Sequence, residues 1–164
     1  AADIVRSIGS PEQAEEACAA LAQRFPADAG VWLRLGDARF AVNKDAMALD
    51  AYRRAVASDP GNEDARRAVA RVQESLQLDP TRRGLSVRER ARRWDEILRR
   101  VVAGVADCAP SPEVEKAKLL LRRRAISLAD SDRKMESALS VWKNAGESCR
   151  HDAVLAHVLS RLGD

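Results

Sequence analysis

The chain has 164 residues, 46% of them hydrophobic, only 4% aromatic and 32% charged, with a formal net charge of +3. That length suffices for one compact domain or several stacked repeats without metal or disulfide staples, the composition suits an Ala/Leu/Val helical core with solvated outer faces, and no stretch approaches the about 18 consecutive apolar residues of a membrane span. So small a charge, set against 28 Lys/Arg and 25 Asp/Glu, gives only weak support for a nucleic-acid partner, and Ala1 to Arg6 lack the basic start and apolar run of a signal peptide.

Residues 11–26 are expected to form a helix in which Ala14, Cys18 and Leu21 set small, large and small side chains on one face, before Pro26 ends the segment. Cys18 is expected as a buried, reduced thiol. In the next stretch Trp32 and Leu35 are core positions of a first helix, with Arg39 on the same side and Phe40 turned towards the neighbouring face. Gly36 sits mid-helix at a cost of about 1 kcal/mol relative to Ala, which implies close approach of a second helix. Asn43-Lys44-Asp45 is the tight turn, and Ala48, Tyr52 and Ala55 form the returning face up to Asp59-Pro60. Ala14, Cys18, Leu21 and Pro26 each precede Ala48, Tyr52, Ala55 and Pro60 by 34 residues, the spacing of a repeat array.

Trp32, Leu35, Gly36, Ala48, Tyr52, Ala55 and Pro60 resemble the pattern of the tetratricopeptide repeat family, most clearly over residues 29–62 and in part over 11–26. One departure is Arg39, where the family usually carries an aromatic residue, with Phe40 one place later. The resemblance implies an all-α, right-handed α-solenoid of antiparallel helix hairpins, here irregular in the C-terminal half. It also implies that first helices line a concave groove, so Leu33, Asp37, Phe40 and Ala41 would face a peptide. The basic and asparagine residues by which some family members clamp a terminal carboxylate are absent at Leu33 and Asp37, which favours an apolar or extended ligand. Residues 1–164 are read as a single repeat domain that begins inside a repeat, and so as a fragment of a longer protein.

Beyond Gly61, Ala65, Ala68, Val69, Val72 and Leu76 predict a helix ending near Asp79-Pro80. A loop follows, and Ser86-x-x-Glu89 is a capping box opening a long helix with its seam at Val87, Ala91, Trp94, Leu98, Val101 and Val105. These two helices suggest a repeat expanded to roughly 48 residues. Ser111-Pro112-Glu113 starts another helix, expected to bury Val114, Ala117, Leu121, Ala125 and Leu128, with Asp130-Ser131-Asp132 as punctuation. Met135, Ala138, Leu139, Trp142 and Ala145 predict the next, and Val154, Leu155, Val158, Leu159 and Leu162 the last, for seven or eight helices in all.

Chemistry has few carriers. His151 and His157, six apart, face different directions on a helix and have no paired-cysteine or histidine spacing beside them, so no metal, cofactor or catalytic centre is expected. Cys108 and Cys149 each follow the second helix of a hairpin, where a disulfide is geometrically allowed in an oxidising compartment; in that case the setting would be periplasmic or secreted. Arg88, Arg90, Arg92, Arg93, Arg99 and Arg100 read as a salt-bridged solvent face through the pairs Glu89–Arg93, Asp95–Arg99 and Glu96–Arg100. Trp32, Trp94 and Trp142 read as core. Arg122, Arg123 and Arg124 have fewer local acids and are the better candidates for an acidic peptide or phosphate.

The expected function is therefore non-catalytic: a scaffold that binds a protein or peptide partner through Leu33, Asp37 and Phe40, with Arg122, Arg123 and Arg124 as further contacts. Two alternatives are a regulatory or spacer module of a larger enzyme, and nucleic-acid binding through the arginine-rich helices. Oligomeric state is left open.

Overall fold

Apolar residues recurring every three or four positions leave each segment one face to bury, and in the computed structural model, which describes residues 10–123 and 127–162, those faces are buried by eight α-helices and a short 3-10 helix, with no strand among the described residues. The chain divides into two compact units, Ala1–Leu76 and Gln77–Asp164, with the division falling in the last turn of a helix.

In the first unit α1 (Pro11–Arg24) starts at Ser10, whose hydroxyl accepts from the Gln13 N–H at 3.3 Å, with Pro11 in the first turn. Its buried face differs from the expected one. Cys18 and Ala22 pack on Leu35 and Ala51, whereas Leu21 is exposed. A step of four residues from Cys18 stays closer to the contact line than a step of three, and the small Ala22 lets the neighbouring helix approach. Cys18 is a free, buried thiol whose pKa is pushed up chiefly by burial.

α2 (Ala29–Ala41) is capped by Asp28, which accepts from the Gly30 and Val31 N–H groups, and α3 (Asp45–Ser58) returns alongside it after a turn in which Asn43 takes a left-handed φ of 60°. The pair is antiparallel. Arg54, near the end of α3, lies 4.8 Å above the ring of Trp32 at the start of α2, and Arg39, near the end of α2, donates to the Met47 carbonyl at 3.2 Å. Between these ends the Tyr52 ring fills the space a Cβ on Gly36 would need, which accounts for the glycine. Leu35, Ala48, Tyr52 and Ala55 are buried as expected, while Trp32 is only half-buried, its indole N–H donating to the Pro26 carbonyl at 2.8 Å. Arg39, in place of the aromatic, pairs with Glu15 at 3.4 Å; Lys44 joins the same carboxylate, so α1 is fastened to the α2–α3 turn. α4 (Glu63–Leu78) begins at Asn62, whose side chain accepts from the Ala65 N–H at 2.9 Å. It lays Ala68 and Val72 against Ala48 and Tyr52, and a buried hydrogen bond of 3.0 Å runs from Ser75 to Asp45.

The second unit opens with a loop organised by the buried Asp79, whose carboxylate accepts from the Thr81 N–H at 2.8 Å and from Arg161 at 2.5 Å. α5 (Val87–Val105) is capped by Ser86 and buries Ala91, Trp94, Leu98, Val101 and Val105 as expected, together with Ile97 and Val102; Val87 is exposed, ahead of the seam. α6 (Pro112–Leu121), capped by Ser111, stops earlier than its apolar spacing suggests. Ser127 is the reason on the far side of the break. Its hydroxyl accepts from the Asp130 N–H at 3.1 Å and donates to the Asp130 carboxylate at 2.7 Å, so α7 (Leu128–Asn144) starts there. Asp130-Ser131-Asp132 is thus helix and not punctuation, Leu128 is exposed in the first turn, and Ala125 lies outside the described residues.

A 3-10 turn (Glu147–Cys149) and α8 (Ala153–Ser160) complete the unit. α5 packs on α6, α7 and α8, and α6 on α7, around one core containing Trp94, Val114, Ala117, Ala138, Trp142, Leu155 and Val158. Cys108, in the turn after α5, is disulfide-bonded to Cys149 with 5.8 Å between Cα atoms. No described helix is long and apolar enough to cross a membrane.

The disulfide closes a loop of 41 residues, for which loop-closure entropy gives a stabilisation on the order of 4 kcal/mol. Reduction of the intact chain is expected to lower the denaturant midpoint of the second unit accordingly, followed through Trp94 and Trp142 fluorescence. Superimposable curves with and without reductant would contradict this.

Candidate recognition surface

Leu33, Asp37 and Phe40 are four and three residues apart, so α2 presents them along one stripe. Leu33 and Phe40 are half-buried against the cluster of Ala48, Tyr52, Ala68 and Val72; Asp37 and Ala41 are exposed. Asp37 accepts a 2.7 Å hydrogen bond from the Tyr52 hydroxyl. Burial first, and this bond second, push the Tyr52 pKa upwards, so the phenol remains a donor and holds the carboxylate in place. From α4, Arg71 lies 5.2 Å above the centre of the Phe40 ring and also reaches the Tyr52 hydroxyl. Two helices, α2 and α4, thereby bring a carboxylate, an aromatic ring and a guanidinium to one patch of the first unit, over the buried Tyr52 of α3.

Arg71 was not among the residues singled out from the sequence. The signal for it was present: Arg71 follows Asp37 by 34 residues, so carrying the repeat spacing one step further reaches it.

The other expected contacts lie in the second unit. Arg122 and Arg123 are exposed beyond the end of α6, and the Arg123 carbonyl accepts a 2.6 Å hydrogen bond from the buried Lys134, which also pairs with Asp95. Arg124 lies outside the described residues.

The arginine run of α5 is only partly the solvent face it resembles. Arg93 is buried at 8% exposure, donating to the Asp79 carbonyl at 2.7 Å and pairing with Glu89 at 3.2 Å, so it anchors the preceding loop. Its long aliphatic stem allows it to occupy the rim of the core. Arg92 pairs with Glu89 at 2.8 Å, Arg99 with Asp95 and Glu96, and Arg100 with Asp152 at 2.6 Å. The second unit carries 18 Lys/Arg against 13 Asp/Glu, and these four α5 cations each stand beside an acid of the chain.

His151 is exposed and His157 half-buried, and the described residues hold no cluster of three or more His, Cys, Asp or Glu suited to a metal ion. Comparison with protein-family models, with curated proteins and with solved structures finds no match to the chain.

The hydrogen bond from Arg92, followed by that from Arg93, pulls the Glu89 pKa down from the usual 4.5 to about 2. Between those values the unfolded chain binds a proton at Glu89 that the folded chain does not. This contribution is therefore complete above the usual glutamate value and is lost as pH falls towards 2. Glu89→Gln is expected to flatten stability against pH in that window, measured by denaturant titration. An unchanged acid slope would show that the arginines do not hold the carboxylate.

Proposed function

We propose that this chain is a non-catalytic scaffold of the tetratricopeptide-like kind, a right-handed solenoid of helix hairpins that holds a peptide or an extended segment of a partner protein along α2 and α4. The observation carrying this reading is the convergence of Asp37, Phe40 and Arg71 over the Tyr52 hydroxyl. Asp37 can accept from a peptide N–H, Arg71 can donate to a carbonyl or carboxylate, and Leu33 and Phe40 offer apolar contact between them. Helices fixed by caps and core packing lose little freedom on binding, so many shallow contacts suffice for affinity. Arg71 supplies a cation beside Phe40, which the Leu33–Asp37–Phe40 stripe of α2 does not itself carry, and this widens the expected ligand from apolar segments to those with an acidic group near an apolar one.

The disulfide supports a periplasmic or secreted setting, because such bonds persist where the surroundings are oxidising.

The test compares immobilised wild-type chain with a Phe40→Ala/Arg71→Glu variant, with helical content checked by circular dichroism and captured proteins quantified by mass spectrometry. Partners of this surface are expected to fall about tenfold or more, the loss of one well-placed contact or greater. Equal capture by both folded proteins would remove the surface from consideration.

A further inference from the structure

We propose that the groove between α7 and α8, in the second unit, is a separate docking surface that takes a helix of a partner protein whose apolar stripe is flanked by a carboxylate. The groove holds about 350 Å³ and opens to solvent. Leu139, Trp142 and Lys143 line one wall at three- and four-residue spacing, and Ala156 and Leu159 line the other at three. Each wall is thus one stripe of a helix, and two such stripes side by side form the trough into which the ridge of a third helix fits.

Charge defines the occupant further. No acid lines the groove among the described residues, while Lys143 and Arg150 stand at its edge. The Arg150 guanidinium lies 5.6 Å above the Trp142 ring and donates to the Ala145 and Lys143 carbonyls at 2.8 Å each, which fixes it in place without cancelling its charge. Lys143 is exposed and has no carboxylate partner among the described residues. This contrasts with α5, where Arg92, Arg99 and Arg100 each have an acid from this chain. A fixed guanidinium and an exposed ammonium beside apolar walls match an Asp or Glu set one helical turn from Leu, Ile or Phe.

The test is a selection from a displayed library of short helical peptides on the whole oxidised chain, followed by affinity measurement on Lys143→Glu. The Lys143 side chain has no hydrogen-bond or ion-pair partner among the described residues to lose, and its carbonyl, which accepts from Arg150, is kept in the variant, whose fold is checked by circular dichroism. Enriched peptides are expected to carry an acid one turn from an apolar stripe, to bind Lys143→Glu about tenfold more weakly, and to recover when their acid is changed to lysine. Enrichment without acids, affinity indifferent to Lys143→Glu, or no enrichment would overturn the proposal. Binding lost on Phe40→Ala but not on Lys143→Glu would do the same while leaving the first-unit surface standing.

Discussion

The Tyr52 ring occupies the volume that any side chain at Gly36 would claim, and the first unit is arranged around that exclusion. It sets the distance between α2 and α3, and it leaves the phenol only a short reach to Asp37. With the ring seated, Ala48 and Tyr52 form one wall of the pocket that receives Ala68 and Val72 of α4. Phe40 and Arg71 meet on the outside of that joint. Core packing and surface chemistry are in this sense one event: the residue that holds the hairpin together also orients the carboxylate on its face.

The second unit is held by different means. Its core is larger, and its edges are tied by polar residues whose partners lie far away in the chain. Asp79 gathers Thr81, Arg93 and Arg161; Lys134 joins Asp95 to the end of α6; Arg100 reaches the cap of α8; Cys108 is bonded to Cys149. Charge that counts as a basic run along the sequence is spent internally on these ties. Lys143 and Arg150 stand in contrast, bordering a groove whose lining holds no acid among the described residues.

Much of the secondary structure could be read in advance, because helix starts are local chemistry. Ser86 and Ser111 cap the helices they were expected to cap, and the seam from Ala91 to Val105 follows its periodicity. The break after Leu121 was missed because apolar spacing ran across it, and the serine that restarts the chain stood three residues before the acids that drew attention. Leu21 and Ala22 exchange roles for a reason sequence hides: a small residue at the contact is worth more than a large one beside it. Arg93 was misplaced because its partner, the Asp79 carbonyl, lies across a loop and carries no side-chain signal. On the α2–α4 patch, Asp37 and Phe40 were singled out from one 34-residue stretch, whereas Arg71 lies one such spacing further on.

A double-mutant cycle on stability probes the Gly36–Tyr52 contact most directly. With Tyr52 present, Gly36→Ala forces overlap with the ring and should destabilise by about 1–3 kcal/mol. With Tyr52→Val, whose side chain ends short of the overlapping ring atoms, the same change should become neutral or stabilising by up to about 1 kcal/mol, the helical preference for alanine over glycine. A reversal of sign is the predicted result. An equal cost of Gly36→Ala in both backgrounds would mean that the ring does not set the helix spacing, and would contradict the account at its foundation.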